Sequence, residues 1–242
     1  MGAKCFGEFV GTAVLILLGD GVVANVLLKR SKAEGAGWLT IAAGWAFAVV
    51  IGVYTSVACG SPDAFLNPAA TFGFAVESGD FSKFFPFLVA QMLGAMTGAA
   101  LVWLHFLPHW RETEDPNLKL ACFSTMPAIR NFGANLLSEI IGTFVLVLGV
   151  SAIFSKKVAL AGPAPALGPY LVGVLIWAIG LSLGGTTGYA INPARDLGPR
   201  IMHAILPLGK KVNSGWSYAA VPVVGPLVGA GLAGWFVRLA HL

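Results

Sequence analysis

Two copies of one tripeptide stand far apart in the chain, and their residue types suit contact with uncharged polar molecules. They are Asn67-Pro68-Ala69 and Asn192-Pro193-Ala194. Asn is a favoured N-cap and Pro fits the first turn of a helix, so each triplet predicts a helix start. A helix start carries about half a positive elementary charge, and an Asn carboxamide can donate hydrogen bonds to hydroxyl or water oxygens.

The helices that follow the triplets are too short to cross a bilayer. They are predicted over about Asn67–Val76 and Asn192–Ile205. At 1.5 Å per residue they are about 15–20 Å long, which is about half of a ~30 Å hydrocarbon core. Paired half-helices whose N-termini meet inside a membrane are typical of channels and transporters. Two positive helix ends at mid-membrane would oppose the passage of protons and other cations.

The composition requires a membrane around these half-helices. The chain of 242 residues is 57% hydrophobic and only 11% charged, whereas soluble domains carry about 25% charged residues. Six apolar stretches have spanning length: about Phe6–Leu28, Trp38–Cys59, Phe84–Leu107, Asn135–Phe154, Leu167–Leu183 and Trp216–Val237. We therefore expect an all-α membrane protein with six transmembrane helices and two re-entrant half-helices, forming one domain over residues 1–242.

The chain contains an internal repeat, with halves at about 1–107 and 134–242. Glu8-Phe9-Val10-Gly11-Thr12 corresponds to Glu139-Ile140-Ile141-Gly142-Thr143, and Gly94-Ala95 corresponds to Gly229-Ala230. Because each half has three spans, an odd number, the halves must enter the membrane from opposite sides. Inverted repeats of this kind place a shared site near the midplane.

Three acidic residues fall inside predicted spans. Glu8 and Glu139 occupy equivalent places in the repeats, so we expect each to accept hydrogen bonds from the irregular backbone that leads into a half-helix. Asp20 has no such counterpart, and two roles stay open for it: a structural one, and lining the outer vestibule.

Other function classes find little support. The net charge of +4 forms no basic patch, so no nucleic-acid partner is expected. The three Cys and four His residues lack metal-ligand or catalytic grouping, so we expect no metal, no cofactor and no enzymatic activity. The longest polar connection, about 108–131, joins the repeats, and the proline-containing segment 156–169 is predicted to be a stiff linker.

The double Asn-Pro-Ala, the Glu-x-x-Gly-Thr repeat and the segment Gly188–Arg200 (GYAINPARDLGPR) resemble the aquaporin, or major intrinsic protein, family. Within it the chain is most similar to bacterial glycerol facilitators. The resemblance covers essentially the whole chain and implies one pore per subunit, a homotetramer in the cell membrane, and cytoplasmic termini. The distribution of basic residues by itself predicts the opposite orientation, and we adopt the one that the resemblance implies.

The resemblance also implies a selectivity filter near the outer mouth. Its residues would be Trp45, Gly180, Tyr189 and Arg195. Arg195 would donate hydrogen bonds to substrate hydroxyls and repel cations, while Gly180 would leave a wide corner where water-specific members carry His. Asp196 is expected to order the start of the second half-helix and its loop.

These expectations favour a passive channel for glycerol, other small uncharged solutes such as urea, and water, which excludes protons and ions. A channel mainly for protonated weak acids such as lactic acid is an alternative, and a coupled secondary transporter a distant one. Phe65 stands where facilitators usually have His, which leaves the lining of the cytoplasmic half open.

Overall fold

Every regular element of the protein is a helix in residues 1–164 and 166–242, the part that the structure, a computed structural model, describes. Six helices are long: α1 Gly2–Leu27, α2 Gly37–Ala58, α4 Phe84–His105, α7 Phe132–Phe154, α8 Gly168–Ser182 and α10 Val221–Ala240. All of these except α8 are long and apolar enough to cross a membrane. The predicted all-α fold with six long helices is present.

Two half-length helices lie among them. The first, α3, runs over Pro68–Ser78 with 11 residues, and the second, α9, runs over Pro193–Ile205 with 13. Each begins one residue after the Asn of its triplet, where the capping signal predicts a start.

The fifth long helix is the shortest of the six. Helix α8 has 15 residues, about 22 Å at 1.5 Å per residue, and it ends at Ser182, next to the predicted end at about Leu183. Gly184 and Gly185 follow at once in a turn, and glycine is among the weakest helix formers. The predicted stiffness of the preceding linker depends partly on Pro165, which lies outside the described residues.

The last helix and the connection between the repeats also differ from the apolar pattern. Helix α10 starts at Val221 because residues 216–220 form turns after Gly215, whose φ is +68°. In the connection, the chain forms two one-turn helices, α5 Leu107–Glu112 and α6 Pro116–Ala121. The polar connection is thus more ordered than its composition indicates.

The two halves pack in the same way at equivalent glycines. A Cβ on Gly94 would lie 2.4 Å from the carbonyl oxygen of Phe9, and one on Gly229 would lie 2.3 Å from that of Ile140. Helices α1 and α4, and likewise α7 and α10, therefore approach so closely that only glycine fits, as is common between membrane helices. Phe9 and Ile140 directly follow the repeated glutamates.

Large apolar side chains cover the outside of the helix bundle. Phe85 is 70% exposed and Trp235 is 58% exposed. A water-soluble protein seldom exposes so much contiguous apolar surface, whereas lipid tails would cover it. The chain is a multi-pass membrane protein.

Candidate functional site

The N-termini of α3 and α9 meet inside the bundle and are bonded to each other. The carboxamide Nδ2 of Asn67 donates to the carbonyl of Ile191 at 2.8 Å, and Nδ2 of Asn192 donates to the carbonyl of Leu66 at 2.8 Å. Each Asn Oδ1 also caps its own helix by accepting from the amide of Ala69 or Ala194. Because an NH₂ group has two donors, each Asn keeps one N–H for another acceptor.

A buried carboxylate holds the loop that leads into each half-helix. Oε1 and Oε2 of Glu8 accept from the amides of Phe65 and Leu66 at 3.0 and 2.8 Å. Glu139 accepts from the amides of Ala190 and Ile191 at the same two distances. These are the bonds that the repeat predicts for irregular backbone at membrane depth.

A hydroxyl group completes each of these carboxylate sites. Ser61 donates to Glu8 at 2.8 Å, and Thr187 donates to Glu139 at 2.6 Å. In the first half, Gln91 adds a further bond to Glu8 at 2.9 Å. Each carboxylate therefore accepts at least three hydrogen bonds, which compensates for the burial of its charge.

The two loops share an uncommon backbone conformation. Leu66 and Ile191, which directly precede the asparagines, have φ of +52° and +43°. Few residues other than glycine adopt this region, and side chains held there usually belong to a functional site. The conformation points the carbonyls of both residues at the opposite asparagine, so the strain serves the contact between the tips.

A cavity of about 800 Å³ runs past these tips. It is bounded by Asn67 and Asn192 in the middle, and by Trp45, Tyr189 and Arg195 toward one end. Apolar side chains form most of the remaining wall: Leu15, Val49, Val53, Leu146, Val150 and Ile176. The cavity wall is thus mostly apolar, with hydrogen-bond donors at Asn67, Asn192 and Arg195.

Arg195 and Trp45 face each other at that end of the cavity. The guanidinium carbon of Arg195 lies 4.1 Å from the centroid of the Trp45 ring, which is a cation–π contact. Arg195 Nη1 lies 3.6 Å from Oδ1 of Asp20. All three side chains are buried, with exposed fractions of 9% or less.

Tyr189 takes up the space that Gly180 leaves, which differs from the wide corner expected from the sequence. A Cβ on Gly180 would lie 2.9 Å from Cζ of Tyr189. The Tyr189 ring also meets Trp38 edge-to-face at 5.7 Å, while Trp38 Nε1 donates to the carbonyl of Gly180 at 3.0 Å. Gly180 therefore makes room for the Tyr189 ring, and the ring borders the cavity.

Asp196 ties the start of α9 to the connection between the repeats. Its carboxylate accepts from the amide and hydroxyl of Thr125 at 2.8 and 2.6 Å and from Nε of Arg200 at 2.8 Å. Arg200 in turn donates to the carbonyls of Ser214 and Thr125. With both charges fully buried and bonded, Asp196 has the ordering contacts that the sequence predicts for it.

Aromatic and charged side chains surround the other end of the cavity. Phe65 stacks on Phe74 with ring centroids 5.2 Å apart, so an apolar face lies where facilitators usually have His. Nearby, Asp63 accepts hydrogen bonds from Lys83 at 2.9 Å and Lys4 at 3.2 Å. Partial burial opposes the charge of Asp63, but these two ammonium groups outweigh it and hold its pKa below the usual range.

In residues 1–164 and 166–242, no three His, Cys, Asp or Glu side chains come together as metal ligands. Cys5, Cys59 and Cys122 are free thiols.

The structure adds residues that sequence reasoning missed. Trp38 donates to the carbonyl of Gly180, Thr125 donates to Asp196, and the carbonyl of Ser214 accepts from Arg200. Ser61 and Thr187 were also missed; they precede the asparagines of the two triplets by six and five residues.

Six long helices that enclose two half-helices, with the tips in contact beside a cavity, define a class of membrane proteins with a pore through each chain. The chain belongs to the Major intrinsic protein family, whose sequence profile matches residues 2–237. Trp45, Tyr189 and Arg195, the helix tips and the carboxylate sites described above all lie within the matched range.

Relatives and a solved structure agree with this assignment. The chain is 54% identical over 223 residues to the probable glycerol uptake facilitator protein of Thermotoga maritima, covering 92% of each chain. It is 55% identical over 231 residues to glycerol uptake facilitator protein 3 of Lactiplantibacillus plantarum, covering 95% of this chain and 93% of that one. A D/L-lactic acid transporter of the same organism is 37% identical over 240 residues, covering 97% and 96%.

The fold match is equally extensive. The X-ray structure of the aquaglyceroporin from Plasmodium falciparum superposes with a TM-score of 0.84 at 28% identity, covering 98% of this chain and 95% of that one. The aquaporin-like fold predicted from the sequence is confirmed.

Proposed function

We propose that this protein is a passive channel that conducts glycerol, other small uncharged solutes and water, and excludes protons and ions. The observation that carries the proposal is the cavity that passes both asparagine tips and ends at Trp45, Tyr189 and Arg195. Sequence identity above 50% to two proteins named as glycerol uptake facilitators, over nearly the full chain, supports the same function.

The chemistry of the cavity suits a polyol. Glycerol has hydroxyls along one edge and C–H groups along the other. Asn67, Asn192 and Arg195 offer N–H donors to the hydroxyls, and the Trp45 ring and aliphatic wall accept the carbon edge. Because these donors are few, a solute would be held weakly enough at each point to move on.

Charge and desolvation would exclude ions from the same path. Two half-helix N-termini, with about half a positive charge each, face the middle of the pathway beside Asn67 and Asn192. Arg195, which is paired with Asp20 at 3.6 Å, adds a guanidinium group at the end of the cavity beside Trp45. A cation would lose its hydration in a mostly apolar cavity and would have to pass the two positive helix ends, which is a high barrier.

The test is stopped-flow light scattering of proteoliposomes in an inward glycerol gradient. We expect reswelling well above that of empty vesicles, with no current in planar bilayers under sodium or proton gradients. Glycerol flux equal to that of empty vesicles would refute the proposal.

A channel for protonated lactic acid is the second candidate, favoured by the similarity to a D/L-lactic acid transporter. The same vesicles separate the two functions. If lactic acid is the main cargo, its flux exceeds that of glycerol and rises as pH falls toward the pKa of the acid. Accumulation of either solute against its gradient would instead indicate a coupled transporter.

We further propose that the whole chain, 1–242, forms one channel domain, that its termini lie in the cytoplasm of a bacterial cell, and that four copies assemble. The contacts between α2 and α8, from opposite halves, support a single domain.

Cys5 is partly exposed next to the N-terminus, so a membrane-impermeant maleimide should label it in inside-out vesicles and not in intact cells. Light scattering coupled to size exclusion should give the mass of a tetramer.

A further inference from the structure

The filter contains a buried carboxylate that does not border the cavity. Asp20 lies in α1 with an exposed fraction of 1%, and it is absent from the cavity wall that Arg195 and Trp45 form. In the described part of the chain, neither of its oxygens accepts a hydrogen bond. A charge buried in this way is costly unless an opposite charge accompanies it.

Arg195 is the group that accompanies it. Its Nη1 lies 3.6 Å from Oδ1 of Asp20, and this nitrogen too has no hydrogen-bond partner in residues 1–164 and 166–242. Asp196, which follows Arg195 in α9, is already bonded to Arg200 and Thr125. Asp20 is therefore the acid in the described ranges that is paired with the filter arginine.

The neighbouring residue shows that this part of α1 is shaped around the filter. A Cβ on Gly19 would lie 2.2 Å from the Trp45 ring, so only glycine lets that ring lie against α1. Gly19 thus admits Trp45, and Asp20 faces Arg195, which itself lies over the Trp45 ring. Two consecutive residues of α1 position the two sides of the filter.

The pairing solves a problem that the positive groups create. Two helix tips and Arg195 repel cations, but the same charges would attract small anions. Each tip has a buried carboxylate behind its loop, Glu8 or Glu139. Asp20 has the same relation to Arg195, so each positive element of the pathway has a buried negative partner.

We propose that Asp20 is a positioning residue that sets the charge selectivity of the filter. It holds the Arg195 guanidinium against Trp45 and cancels its net charge, so that Arg195 acts as a hydrogen-bond donor to neutral solutes and does not recruit anions. This inference rests on the proposed channel function.

The experiment compares four forms in proteoliposomes: wild type, Asp20→Asn, Arg195→Gln and the double variant. Glycerol flux is measured by light scattering, chloride influx with a trapped chloride-sensitive dye, and sodium influx with a trapped sodium-sensitive dye. We expect Asp20→Asn to raise the ratio of chloride to glycerol permeability about tenfold or more, because a bare arginine lowers the barrier to anions. Arg195→Gln should raise sodium influx instead, and the double variant should lose both leaks.

The control is Asp80→Asn, which removes an exposed carboxylate from the loop before α4; it should match wild type. A loss of packing alone would admit ions of both signs and would persist in the double variant. The inference fails if Asp20→Asn keeps the wild-type chloride ratio, if the double variant leaks chloride as Asp20→Asn does, or if Asp80→Asn gives the same rise.

Folding of the single variant does not limit the test. If Asp20→Asn cannot be purified as a folded protein, the comparison of Arg195→Gln with the double variant decides, since removing the unpaired carboxylate should lower sodium influx. Equal sodium influx would overturn the inference. A wild-type protein without glycerol flux would refute the proposed function and not the pairing.

Discussion

Replacing Gly180 with valine should lower glycerol permeability about tenfold or more, because the new side chain displaces Tyr189 into the pathway. A Cβ at this position would lie 2.9 Å from Cζ and 3.0 Å from Oη of Tyr189. Two other sides of the ring are occupied: a Cβ on Gly184, just after α8, would lie 2.5 Å from Cδ1 of Tyr189, and the Trp38 ring centroid is 5.7 Å away. The cavity is the side that remains open to it.

Two further variants test this explanation. Gly180→Val combined with Tyr189→Ala should recover much of the glycerol flux, since the ring that blocks the path is gone. Gly185→Val is the matched control, because a Cβ at Gly185 meets nothing within 4 Å; its flux should equal that of wild type. If Gly180→Val elutes as a folded protein in size-exclusion chromatography and still conducts glycerol normally, the Tyr189 ring does not border the solute path.

Glu139→Ala should destabilise the protein severely and abolish glycerol flux. The change removes the acceptor for the amides of Ala190 and Ile191 and for the hydroxyl of Thr187. Each orphaned buried donor costs about 1–3 kcal/mol, and Ile191 with its φ of +43° loses the bond that holds it. The Ile191 carbonyl, which accepts from Asn67, would then move, so both tips should be disturbed.

The measurements are the thermal unfolding temperature in detergent and glycerol flux in vesicles. Glu139→Gln should lie between wild type and Glu139→Ala, because its amide oxygen can still accept while its NH₂ group meets donors. Glu34→Ala, which removes an exposed ion pair with Lys29, is the control and should change stability little. An unfolding temperature of Glu139→Ala equal to that of wild type would show that the loop does not depend on this carboxylate.

The starts of the half-helices could be predicted from the sequence because their causes are local. Asn67 and Asn192 cap the next turn of their own chain, and Pro68 and Pro193 stand at the first helical position, where no backbone N–H is needed. The bonds of Glu8 and Glu139 could also be predicted, since the two residues occupy equivalent places in the repeats, each ahead of its triplet. Their contacts join residues 58 and 52 positions apart, yet the symmetry of the chain identifies them.

Other features could not be predicted because their causes are not local. Trp38 bonds to Gly180 across 142 positions, and nothing in either segment indicates the other. The late start of α10 depends on turns over residues 216–220, a segment apolar enough to continue a helix. Asp20 had two open roles in the sequence because its partner, Arg195, belongs to the other half of the chain.

The sequence by itself determined the class of the protein: its apolar spans, its repeat and its twice-used capping triplet require a membrane bundle with two half-helices whose N-termini face each other. Only the tertiary structure decided the shape and charge of the end of the cavity at Trp45, Tyr189 and Arg195. There Tyr189 fills the corner at Gly180, and Asp20 lies 3.6 Å from Arg195. Capping and hydropathy act over a few residues and leave a pattern in the chain, whereas these contacts depend on which side chains meet once the two halves have packed.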